Sequence, residues 1–494
     1  MDRQTDTAFF GQPRGLSTLF FTVMWERFSY YGMRAILLFY MYYAVTKGGL
    51  GINQTTAASI MSIYGSLVYI STIVGGWLAD RVWGTRRTVF LGGFSIMLGH
   101  ICLSLPFGVS ALYGSIVFIV IGSGLLNPSA SSMVGDLYAE NDRRRDAGFS
   151  MFVFGINLGA VVAPWAVPWA AGGFGLHLFG SEQNFHAGFA LAAIGMFFGL
   201  LQYIWDGKKY LPEGSLTPDD PLTEAEKKTV IKWATVIVIA LVAVLGLMAV
   251  FHSFNVNGVI NLITVIAIAM PIVYFVMMLH SKKVTKLERK RVVAYIPLFI
   301  AAAIFWGIEE SVVLALFAEQ RTVLHIGGWH FAAANFQTLN PLFIMLLTPV
   351  FVLLWDHWKK QPTSPGKFAW ALVFSGLSYV WMAIPGMLFG TAGRVSPLWL
   401  VGSWFLVEIG EMLNSPIGLS VTTKLAPKAF KSQMMSLWYM ADSVGQAVNA
   451  QIVKYYSSAT EVPYFIAVGV VSIAFGIILM FFVKRIHNLM GGVD

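Results

Sequence analysis

Long apolar stretches, separated by short polar segments, run along nearly the whole chain. A stretch of roughly 20 apolar residues is long enough to cross the hydrocarbon layer of a membrane as an α-helix. We identify fourteen such spans, at about 16–45, 56–79, 88–106, 111–134, 147–171, 187–205, 233–251, 258–279, 292–318, 331–355, 369–390, 397–422, 433–456 and 463–483. Within them the apolar residues are continuous instead of alternating with polar ones, which disfavours a β-barrel. The pattern therefore predicts an all-α polytopic membrane protein.

The composition points to the same class. Of the 494 residues, 56% are hydrophobic and only 12% are charged, against roughly a quarter charged in soluble domains. This argues against a soluble enzyme, a nucleic-acid-binding protein and a disordered scaffold. Cys102 is the single cysteine, so neither a disulfide framework nor a cysteine metal site is expected. No other metal or cofactor motif is visible, and the polar first 15 residues do not resemble a signal peptide.

Lysine and arginine residues are concentrated in the loops on one side of the predicted spans. An even number of spans puts both termini on the same side, and 27 of the 33 basic residues lie there, against 4 in the opposite loops. The remaining two, Arg27 and Arg34, fall inside the first span. The positive-inside rule then predicts that both termini are cytoplasmic, in the cell (inner) membrane. The net charge of +8 follows from this topology and not from a nucleic-acid-binding surface.

The two ends of the chain resemble each other weakly. The segment Gly124–Pro128 is similar to Gly410–Pro416, and each leads through a basic loop into the next span. Spans 1–6 and 9–14 are therefore predicted to be related halves. The predicted domains are a six-helix N-terminal bundle at 1–205, a linker with two inserted transmembrane helices at 206–291, and a six-helix C-terminal bundle at 292–494. Paired six-span halves are typical of transporters that bind their substrate between the halves, near the middle of the membrane.

Ionisable residues inside the predicted spans mark the candidate site. There are eight of them: Glu26, Arg27, Arg34, Glu309, Glu310, Glu408, Glu411 and Asp442. Each costs about 2.5–3.5 kcal/mol at the centre of a membrane helix, so they are expected to pair or to line a cavity. Helical spacing places them in stripes with polar and aromatic neighbours: Arg27, Tyr30, Tyr31 and Arg34; Trp306 and Glu310; Glu408, Glu411 and Ser415; Trp438 and Asp442.

Six of these eight charges are negative and two are positive. A dry cavity with four uncompensated negative charges is untenable, because burial disfavours a charged carboxylate. Some of the acids must be protonated, hydrated or neutralised by a cationic ligand group, which indicates a proton-coupled site for a ligand that bears an amine. For Glu309 and Glu408, a structural ion pair or a place at a helix end is an equally good interpretation.

The loop between spans 2 and 3 resembles the signature loop of the major facilitator superfamily. From Gly76 to Arg87 it reads Gly-Trp-Leu-Ala-Asp-Arg-Val-Trp-Gly-Thr-Arg-Arg. The resemblance implies that Asp80, Arg81 and Arg86 latch the cytoplasmic ends of helices. It also implies the major facilitator fold, with 12 transmembrane helices in two six-helix bundles and, in this chain, two inserted helices for a total of 14.

A second motif resembles one family within that superfamily. The stretch from Trp25 to Gly32 reads Trp-Glu-Arg-Phe-Ser-Tyr-Tyr-Gly, similar to the ExxERFxYYG motif of the proton-dependent oligopeptide transporter (POT/PTR) family. Further similar segments lie at 142–150, 154–159, 305–310, 336–341, 410–416 and 435–438. Bacterial members have two extra helices between the halves and import di- and tripeptides with the inward proton gradient. The resemblance implies the same function here.

The same resemblance implies roles for individual residues. Arg34 would face the peptide carboxylate and pair with the glutamate of span 9, assigned to Glu310 with Glu309 as the alternative. Glu411 would hold the peptide amino group, with Asn340 nearby. The pockets for the peptide backbone and side chains would be lined by Tyr30, Tyr31, Tyr69, Asn157, Trp306 and Trp438. The groups implied in proton coupling are Glu26, Arg27, Glu309, Glu310 and Asp442.

Two positions depart from the family pattern. Val23 stands where the motif has its first acid, and Asn127 stands where the family usually has a lysine ahead of Pro128. Loss of one of these groups alone would leave a buried charge without its partner, at a cost of about 3–5 kcal/mol, whereas loss of both is electrostatically consistent. We therefore expect a divergent subtype with an altered proton route through the first helix. Asp442 is the candidate for a replacement acid.

The leading hypothesis is a symporter of protons and di- or tripeptides, or peptide-like small molecules. It would work in the lipid bilayer as a monomer, without a nucleic-acid partner, a cofactor or a metal. The alternative is a facilitator or antiporter of the same fold for another small zwitterionic or amine-containing solute, with weak or altered proton coupling. A membrane enzyme is disfavoured, because no nucleophile–base pair or metal cluster is visible.

Restoring the family pattern at one position, by Val23→Glu or Asn127→Lys, should harm uptake or stability more than restoring both. Each single change adds a charge whose partner is absent, whereas the double change adds a Glu–Lys pair whose attraction offsets part of the desolvation cost. A double-mutant cycle on uptake or thermal stability should give a coupling energy above about 0.5 kcal/mol. Simple additivity would mean that the two side chains do not meet.

Overall fold

The structure, a computed structural model, describes residues 6–139, 142, 144–173, 183–218, 220–358 and 361–492. Four of the basic residues used to predict the topology lie outside the described residues: Arg3, Arg143, Lys359 and Lys360. The described chain is almost entirely helical. This follows from the apolar spans, because a backbone in hydrocarbon must satisfy its hydrogen bonds within its own segment.

Six long helices form the first half. They are α1 Arg14–Tyr42, α2 Gln54–Leu78, α3 Thr85–Ser104, α4 Gly108–Asp136, α5 Arg145–Gly173 and α6 Phe185–Tyr210. α1 packs against α5 and α6, α3 packs against α4 and α6, and α2 packs against α4. Glycines allow the closest approaches: the carbonyl of Gly124 lies where a β-carbon on Gly75 would be. α2 ends in a π turn at Ala79–Trp83, which leads into the basic loop.

Two helices are inserted between the halves. They are α7 Glu224–Val250 and α8 Val256–His280. α7 begins with a capping box, in which the side chains of Thr223 and Glu226 each bond to the other's backbone N–H. None of its residues is buried, whereas α8 packs against α2 and α14. α7 is therefore an outer helix, and α8 bridges the two halves.

The second half contains seven helices and a short hairpin in the described residues. The helices are α9 Lys286–Glu309, α10 Val313–Arg321, α11 Leu339–His357, α12 Ser364–Phe389, α13 Leu398–Leu425, α14 Lys431–Ile452 and α15 Glu461–Met490. The hairpin strands, β1 His325–Ile326 and β2 Trp329–His330, pair antiparallel with His325 opposite His330. α12 packs against α13 and α15, and α14 packs against α9 and, across the halves, against α2.

Two predicted spans differ from the helices that form. The ninth span, predicted as continuous, is interrupted at 310–312 between α9 and α10; there Ser311 Oγ accepts a hydrogen bond from the N–H of Val313 (3.4 Å), a local side-chain bond that competes with the helical pattern. The tenth span, predicted from 331, begins with a 3₁₀ helix at Ala333–Thr338 that continues into α11 at Leu339. This first segment also bonds to the other half: Asn335 Nδ2 donates to the carbonyl oxygen of Pro164 at 2.7 Å.

The predicted fold class is confirmed. Eleven described helical segments are long and apolar enough to cross a membrane. The three long helices outside that set, α1, α13 and α14, carry intramembrane ionisable residues, which lower their hydropathy. The predicted domain boundaries stay a prediction. Both fall inside helices, since 205/206 lies within α6 and 291/292 lies within α9.

The two halves meet along one side of the membrane. We call the side where α1 begins and α15 ends the terminal face, and the opposite side the far face. Cross-half hydrogen bonds run from the middle of the membrane to the far face: Ser66 Oγ to Ser443 Oγ at 2.8 Å, Ser59 Oγ to the Ala450 carbonyl at 2.8 Å, Thr338 Oγ1 to the Val161 carbonyl at 3.1 Å, and Tyr43 Oη to Glu319 Oε1 at 3.3 Å. The far face is thereby closed.

A buried ion pair fastens the far-face ends of two helices in the second half. Arg321 Nε at the end of α10 lies 2.9 Å from Glu461 Oε2 at the start of α15, and the side chains are only 4% and 1% exposed. Arg321 Nη2 also donates to the carbonyl oxygen of Gly390 at 2.6 Å. A guanidinium buried this deeply depends on its carboxylate partner, since an unpaired buried charge is strongly destabilising.

Glu461→Gln should therefore lower the free energy of unfolding by about 3 kcal/mol, because the substitution leaves Arg321 buried without a counter-charge. Glu224→Gln is the matched control: its pair with Lys227 is solvent-exposed, with side chains 84% and 50% exposed, and should change stability by less than about 1 kcal/mol. Denaturant or thermal unfolding in detergent measures both. Equal stability of the two variants would contradict the importance of the buried pair.

Candidate functional site

An ion pair joins the two halves in the middle of the membrane. Nη2 of Arg34, on α1, contacts Oε2 of Glu310, at the interruption between α9 and α10. Both side chains are largely buried, with 14% and 8% exposed. The N–H of Glu310 still donates to the carbonyl of Trp306 at 3.0 Å, which fixes the carboxylate at the end of α9. The structure places Glu310, and not its neighbour Glu309, against Arg34.

Asn340, at the start of α11, connects the carboxylates of the second half. Its Nδ2 donates to Glu309 Oε1 at 2.5 Å and to Glu408 Oε1 at 2.8 Å. Glu411, one turn beyond Glu408 on α13, accepts from Ser415 Oγ at 3.5 Å. Carboxylate oxygens of the three glutamates all lie within 4.8 Å of one another. This cluster, which we call the acidic cluster, is the place in the described site where a cationic ligand group would be most strongly attracted.

A cavity of about 600 Å³ lies between the halves on the terminal-face side of this cluster. Its walls come from α2, α5, α9, α11, α13 and α14, and include Tyr69, Val153, Trp306, Phe351, Trp355, Glu411, Trp438 and Asp442. The rings of Trp306 and Trp438 meet edge to face, with centroids 6.5 Å apart. A smaller cavity beside the ion pair is lined by Tyr31, Arg34, Glu310 and Asn340. The wall is thus mostly aromatic and apolar, with charged groups at a few positions.

Asp442 lies on the wall of the larger cavity and is only 3% exposed. Its Oδ1 accepts a hydrogen bond from Gln446 Nε2 at 2.7 Å. The next residue, Ser443, makes the cross-half bond to Ser66. A change in the charge or side chain of Asp442 would therefore directly affect the contact between α2 and α14. Sequence reasoning missed Gln446, although its spacing of four residues from Asp442 was a usable signal.

Arg27 is held within the first half. Its Nη2 contacts Asn127 Oδ1, and its Nε lies 2.8 Å from Glu26 Oε2. The guanidinium also lies over the rings of Tyr30 and Tyr31, 5.5 and 5.9 Å from their centroids, in the cation–π range. Asn127 thus supplies a neutral acceptor where a lysine would present a second cation.

The two atypical positions have simple local surroundings. Val23 is 3% exposed and packs in the apolar cluster that includes Leu126 and Met196. Glu26 is fully buried, and the partner described for its carboxylate is the neighbouring Arg27 guanidinium. An acid at position 23 would have to enter this apolar cluster, which gives a physical reason for valine there.

Asn157 is placed differently from the other predicted binding residues. Its Nδ2 donates to the carbonyl of Val153 in its own helix at 3.0 Å, and the residue is 7% exposed. It is not among the residues that line either of the two cavities. Tyr30 is also buried, packed edge to face on Tyr31 with centroids 5.4 Å apart. In this conformation these two side chains support the site instead of facing it.

The signature loop binds the linker that precedes α7. Arg81 Nη1 contacts Asp220 Oδ2, and its Nη2 donates to Glu226 Oε1 at 2.8 Å. A backbone hydrogen bond adds to this contact: the N–H of Asp220 donates to the carbonyl of Asp80 at 3.1 Å. The carbonyl of Arg86 accepts from the hydroxyl of Tyr203 on α6 at 3.0 Å. The partners in the linker were not predicted, since no local spacing relates them to the loop.

The loop before α5 is also fixed by charge. Arg144 donates to both carboxylate oxygens of Asp142, with Nη2 2.9 Å from Oδ2, and its Nη1 donates to the carbonyl of Asp6 at 2.9 Å. These hydrogen bonds from Arg144 lower the pKa of Asp142. The described N-terminal segment is therefore tied to the terminal-face end of α5.

Comparison with known proteins relates the whole chain to transporters. A family profile described as the POT family matches residues 86–471. A relative named di-/tripeptide transporter, from Lactococcus lactis subsp. lactis (strain IL1403), is 47% identical over 99% of this chain and 99% of its own length. A crystal structure of a peptide transporter POT in complex with sulfate is 50% identical, with a TM-score of 0.93 and 99% of each chain covered. A POT family transporter in complex with 5-aminolevulinic acid is 43% identical, with a TM-score of 0.90, covering 98% of this chain and 100% of that one.

Proposed function

This chain belongs to the POT family of transporters, and from that premise we propose that it is a proton-coupled symporter that imports di- and tripeptides by alternating access. The observation that carries the proposal is the ion pair of Arg34 and Glu310 across the halves, with Glu411 on the wall of the larger cavity. A relative with almost the same length and 47% identity is named a di-/tripeptide transporter. This supports the same substrate class here.

A short zwitterionic peptide fits the distribution of charge in the site. Arg34 offers a cation to the peptide carboxylate, and Glu411 offers an anion to the peptide amino group. Taking both peptide termini out of water is tolerable only if each one meets an opposite charge. Because Arg34 and Glu411 lie in different halves, binding of one peptide to both would couple the substrate to the relative position of the halves.

The walls of the cavity suit peptide side chains of varied size. Trp306, Trp438, Phe351 and Trp355 present broad aromatic surfaces, which bury apolar area without demanding a particular hydrogen bond. Such walls accept many side chains, and the specificity is left to the two peptide termini. Uptake should therefore depend on peptide length more than on side-chain identity.

Proton coupling is assigned to Glu310. A proton on its Oε2 removes the negative charge that holds Arg34, which frees the guanidinium for the peptide carboxylate. The same event removes an attraction between the halves and favours opening of the far face. A ligand or proton can shift this balance only through its different affinity for the two states.

The secondary proton route is expected to differ from the usual one. Arg27 has a neutral partner in Asn127, and Val23 carries no acid. Asp442, on the cavity wall with Gln446 as its hydrogen-bond partner, is our candidate for a second titrating group. Glu309 and Glu26 are the other buried acids that would carry a proton in part of the cycle.

The conformation described here is one state of that cycle. The far face is closed by cross-half hydrogen bonds, and most residues that line the larger cavity lie in the terminal-face halves of their helices. If both termini are cytoplasmic and the protein lies in the inner membrane, the terminal face is the cytoplasmic side. This state would then release substrate into the cell. A monomer suffices for the cycle, because both halves of the site belong to one chain.

One observation favours a second candidate function. The joint replacement at Val23 and Asn127 removes charges that the family usually places near Arg27. This would suit a facilitator or antiporter for another small zwitterionic or amine-containing solute, with weak or altered proton coupling. Such a protein would keep Arg34 and Glu411 as the groups that bind the two substrate termini, but it would accumulate substrate poorly against a gradient.

We predict that unlabelled dipeptides and tripeptides compete for uptake into proteoliposomes, whereas free amino acids and tetrapeptides compete poorly. The reason is the separation of Arg34 and Glu411 in opposite halves, which sets the distance between the peptide termini. The assay measures inhibition of labelled dipeptide counterflow, with and without a pH gradient. Equal competition by single amino acids would favour the second candidate function.

We predict that Glu310→Gln abolishes uptake driven by a pH gradient but retains part of the counterflow. Glutamine keeps the shape of the side chain and loses the titrating group, and counterflow requires no net movement of protons. Glu319→Gln is the matched control, since Glu319 also makes a cross-half hydrogen bond, to Tyr43, but has no arginine partner described. Full gradient-driven accumulation by Glu310→Gln would refute the coupling role.

A further inference from the structure

We propose that His325 and His330, on the far-face hairpin, form a binding site for a divalent metal ion that prefers imidazole ligands, such as Zn²⁺. The site is separate from the proposed transport function, because neither histidine lines the two cavities beside the charged groups in the middle of the membrane. The spacing of five residues between the two histidines matches no common metal motif. It is the hairpin that brings them together.

The backbone of the hairpin places the two imidazoles side by side. Its two-residue turn at 327–328 consists of glycines with positive φ, 55° and 87°, as in the type I′ turn that favours tight hairpins. The N–H of Phe331 donates to the carbonyl of Leu324 at 2.8 Å. His325 and His330, which pair one step closer to the turn, are therefore a non-hydrogen-bonded pair. The side chains of such a pair lie closer together than those of a hydrogen-bonded pair.

The distance between the facing nitrogens suits one shared ion. His330 Nδ1 lies 3.1 Å from His325 Nε2. Two nitrogens that bind one tetrahedral Zn²⁺, each at about 2.0–2.1 Å, lie about 3.3 Å apart. The two rings would therefore have to separate by only a few tenths of an ångström to accept the ion.

The relative orientation of the rings favours a shared ion over a direct hydrogen bond. In a straight N–H···N bond, the ring centroids would be farther apart than the nitrogens by a full ring width. Here the centroids are 4.3 Å apart, only 1.2 Å more than the nitrogens, and the ring planes are inclined by 40°. At least one ring is thus turned off the line between the nitrogens. This weakens the direct bond and turns a lone pair towards the space beside both rings.

A neutral histidine pair can offer both of these nitrogens to an ion. Each neutral imidazole carries one N–H and one nitrogen with a free lone pair. With the hydrogens on His325 Nδ1 and His330 Nε2, both facing nitrogens are free. Binding then requires only a change of tautomer in the ring that had donated the hydrogen bond, and no proton is released. Imidazole ligands suit Zn²⁺, Cu²⁺ and Ni²⁺, whereas carboxylates suit Mg²⁺, Ca²⁺ and Mn²⁺.

The surroundings of the pair leave room for an ion. Both histidines are exposed, and His330 lines a far-face cavity of about 570 Å³ together with Glu319 and Arg394. Glu319 adds a negative charge to this cavity, whereas Arg394 binds the backbone, with its Nη1 2.7 Å from the carbonyl oxygen of Thr322. A tetrahedral ion held by two histidines keeps two further positions, which water can fill from the cavity.

The test is titration calorimetry of Zn²⁺ into the full-length protein in detergent, without an affinity tag. Excess Mg²⁺ is present to occupy carboxylate sites such as the acidic cluster. The wild type should bind one Zn²⁺ per chain. His325→Ala and His330→Ala should each weaken this binding about 100-fold, because the second imidazole of a chelate binds intramolecularly, at a high effective concentration. The double variant should lose little more than either single one.

His252→Ala is the matched control. His252 is an exposed histidine in the far-face loop between α7 and α8, and its removal should leave Zn²⁺ binding unchanged. His330→Gln, which keeps a polar side chain in the hairpin, should behave like His330→Ala. Thermal unfolding without metal should be the same for these variants and the wild type, so that a loss of binding is not a loss of folding.

A spectroscopic readout identifies the ligands themselves. Cu²⁺, which also prefers imidazole, is added to the protein at one equivalent. Its electron paramagnetic resonance spectrum should show coupling to the nitrogens of two imidazoles in the wild type and in His252→Ala. The same coupling should be absent in His325→Ala and in His330→Ala.

Absence of saturable Zn²⁺ binding to the wild type, or equal binding by the wild type and His330→Ala, would overturn the proposal. Loss of binding in His330→Ala but not in His325→Ala would also overturn it, since the ion would then have a different second ligand. None of these measurements requires transport. Failure of the proposed function would show separately, as absence of saturable dipeptide uptake by the metal-free wild type.

Discussion

The cost of placing charge inside a membrane governs this structure. Hydrocarbon offers no solvation, so every ionisable side chain within a span needs a partner, a wet cavity or a proton. The three long helices that do not qualify as spans by composition alone, α1, α13 and α14, carry six of the eight ionisable residues, and the α9–α10 segment carries the other two, Glu309 and Glu310. Their packing is therefore decided by charge pairing as much as by apolar contact.

The same constraint explains why the two halves are held together where they are. The ion pair of Arg34 and Glu310 lies in the middle of the membrane, at the one point where the α9–α10 segment is interrupted. The hydroxyl and amide contacts that close the far face fix how the halves are oriented. Each of them adds little stabilisation, since a net hydrogen bond is worth only about 1 kcal/mol. Because one contact is strong and titratable and the others are weak, a single proton could release the two halves from each other at the far face.

The acidic cluster is a different case, in which three buried carboxyl groups lie close together. Asn340 satisfies Glu309 and Glu408 with one amide nitrogen, yet no basic side chain is described in contact with them. Full ionisation of the three groups would leave a surplus of negative charge beside a mostly apolar cavity. In the proposed function this surplus is balanced during each cycle by protons and by the amino group of the substrate.

The sequence by itself was enough to predict the all-α class, the apolar spans and the ionisable residues within them, because span length and helical spacing are local properties. The orientation in the membrane and the relation between the two halves stay predictions. The sequence also indicated the family, through contiguous motifs. It did not determine which side chains contact each other. The choice of Glu310 over Glu309 for Arg34, the contact of Arg27 with Asn127, and the sharing of Asn340 were decided only by the tertiary structure. These partners are 31 to 276 residues apart in the chain, and whether they meet depends on how each helix is rotated and where it is interrupted.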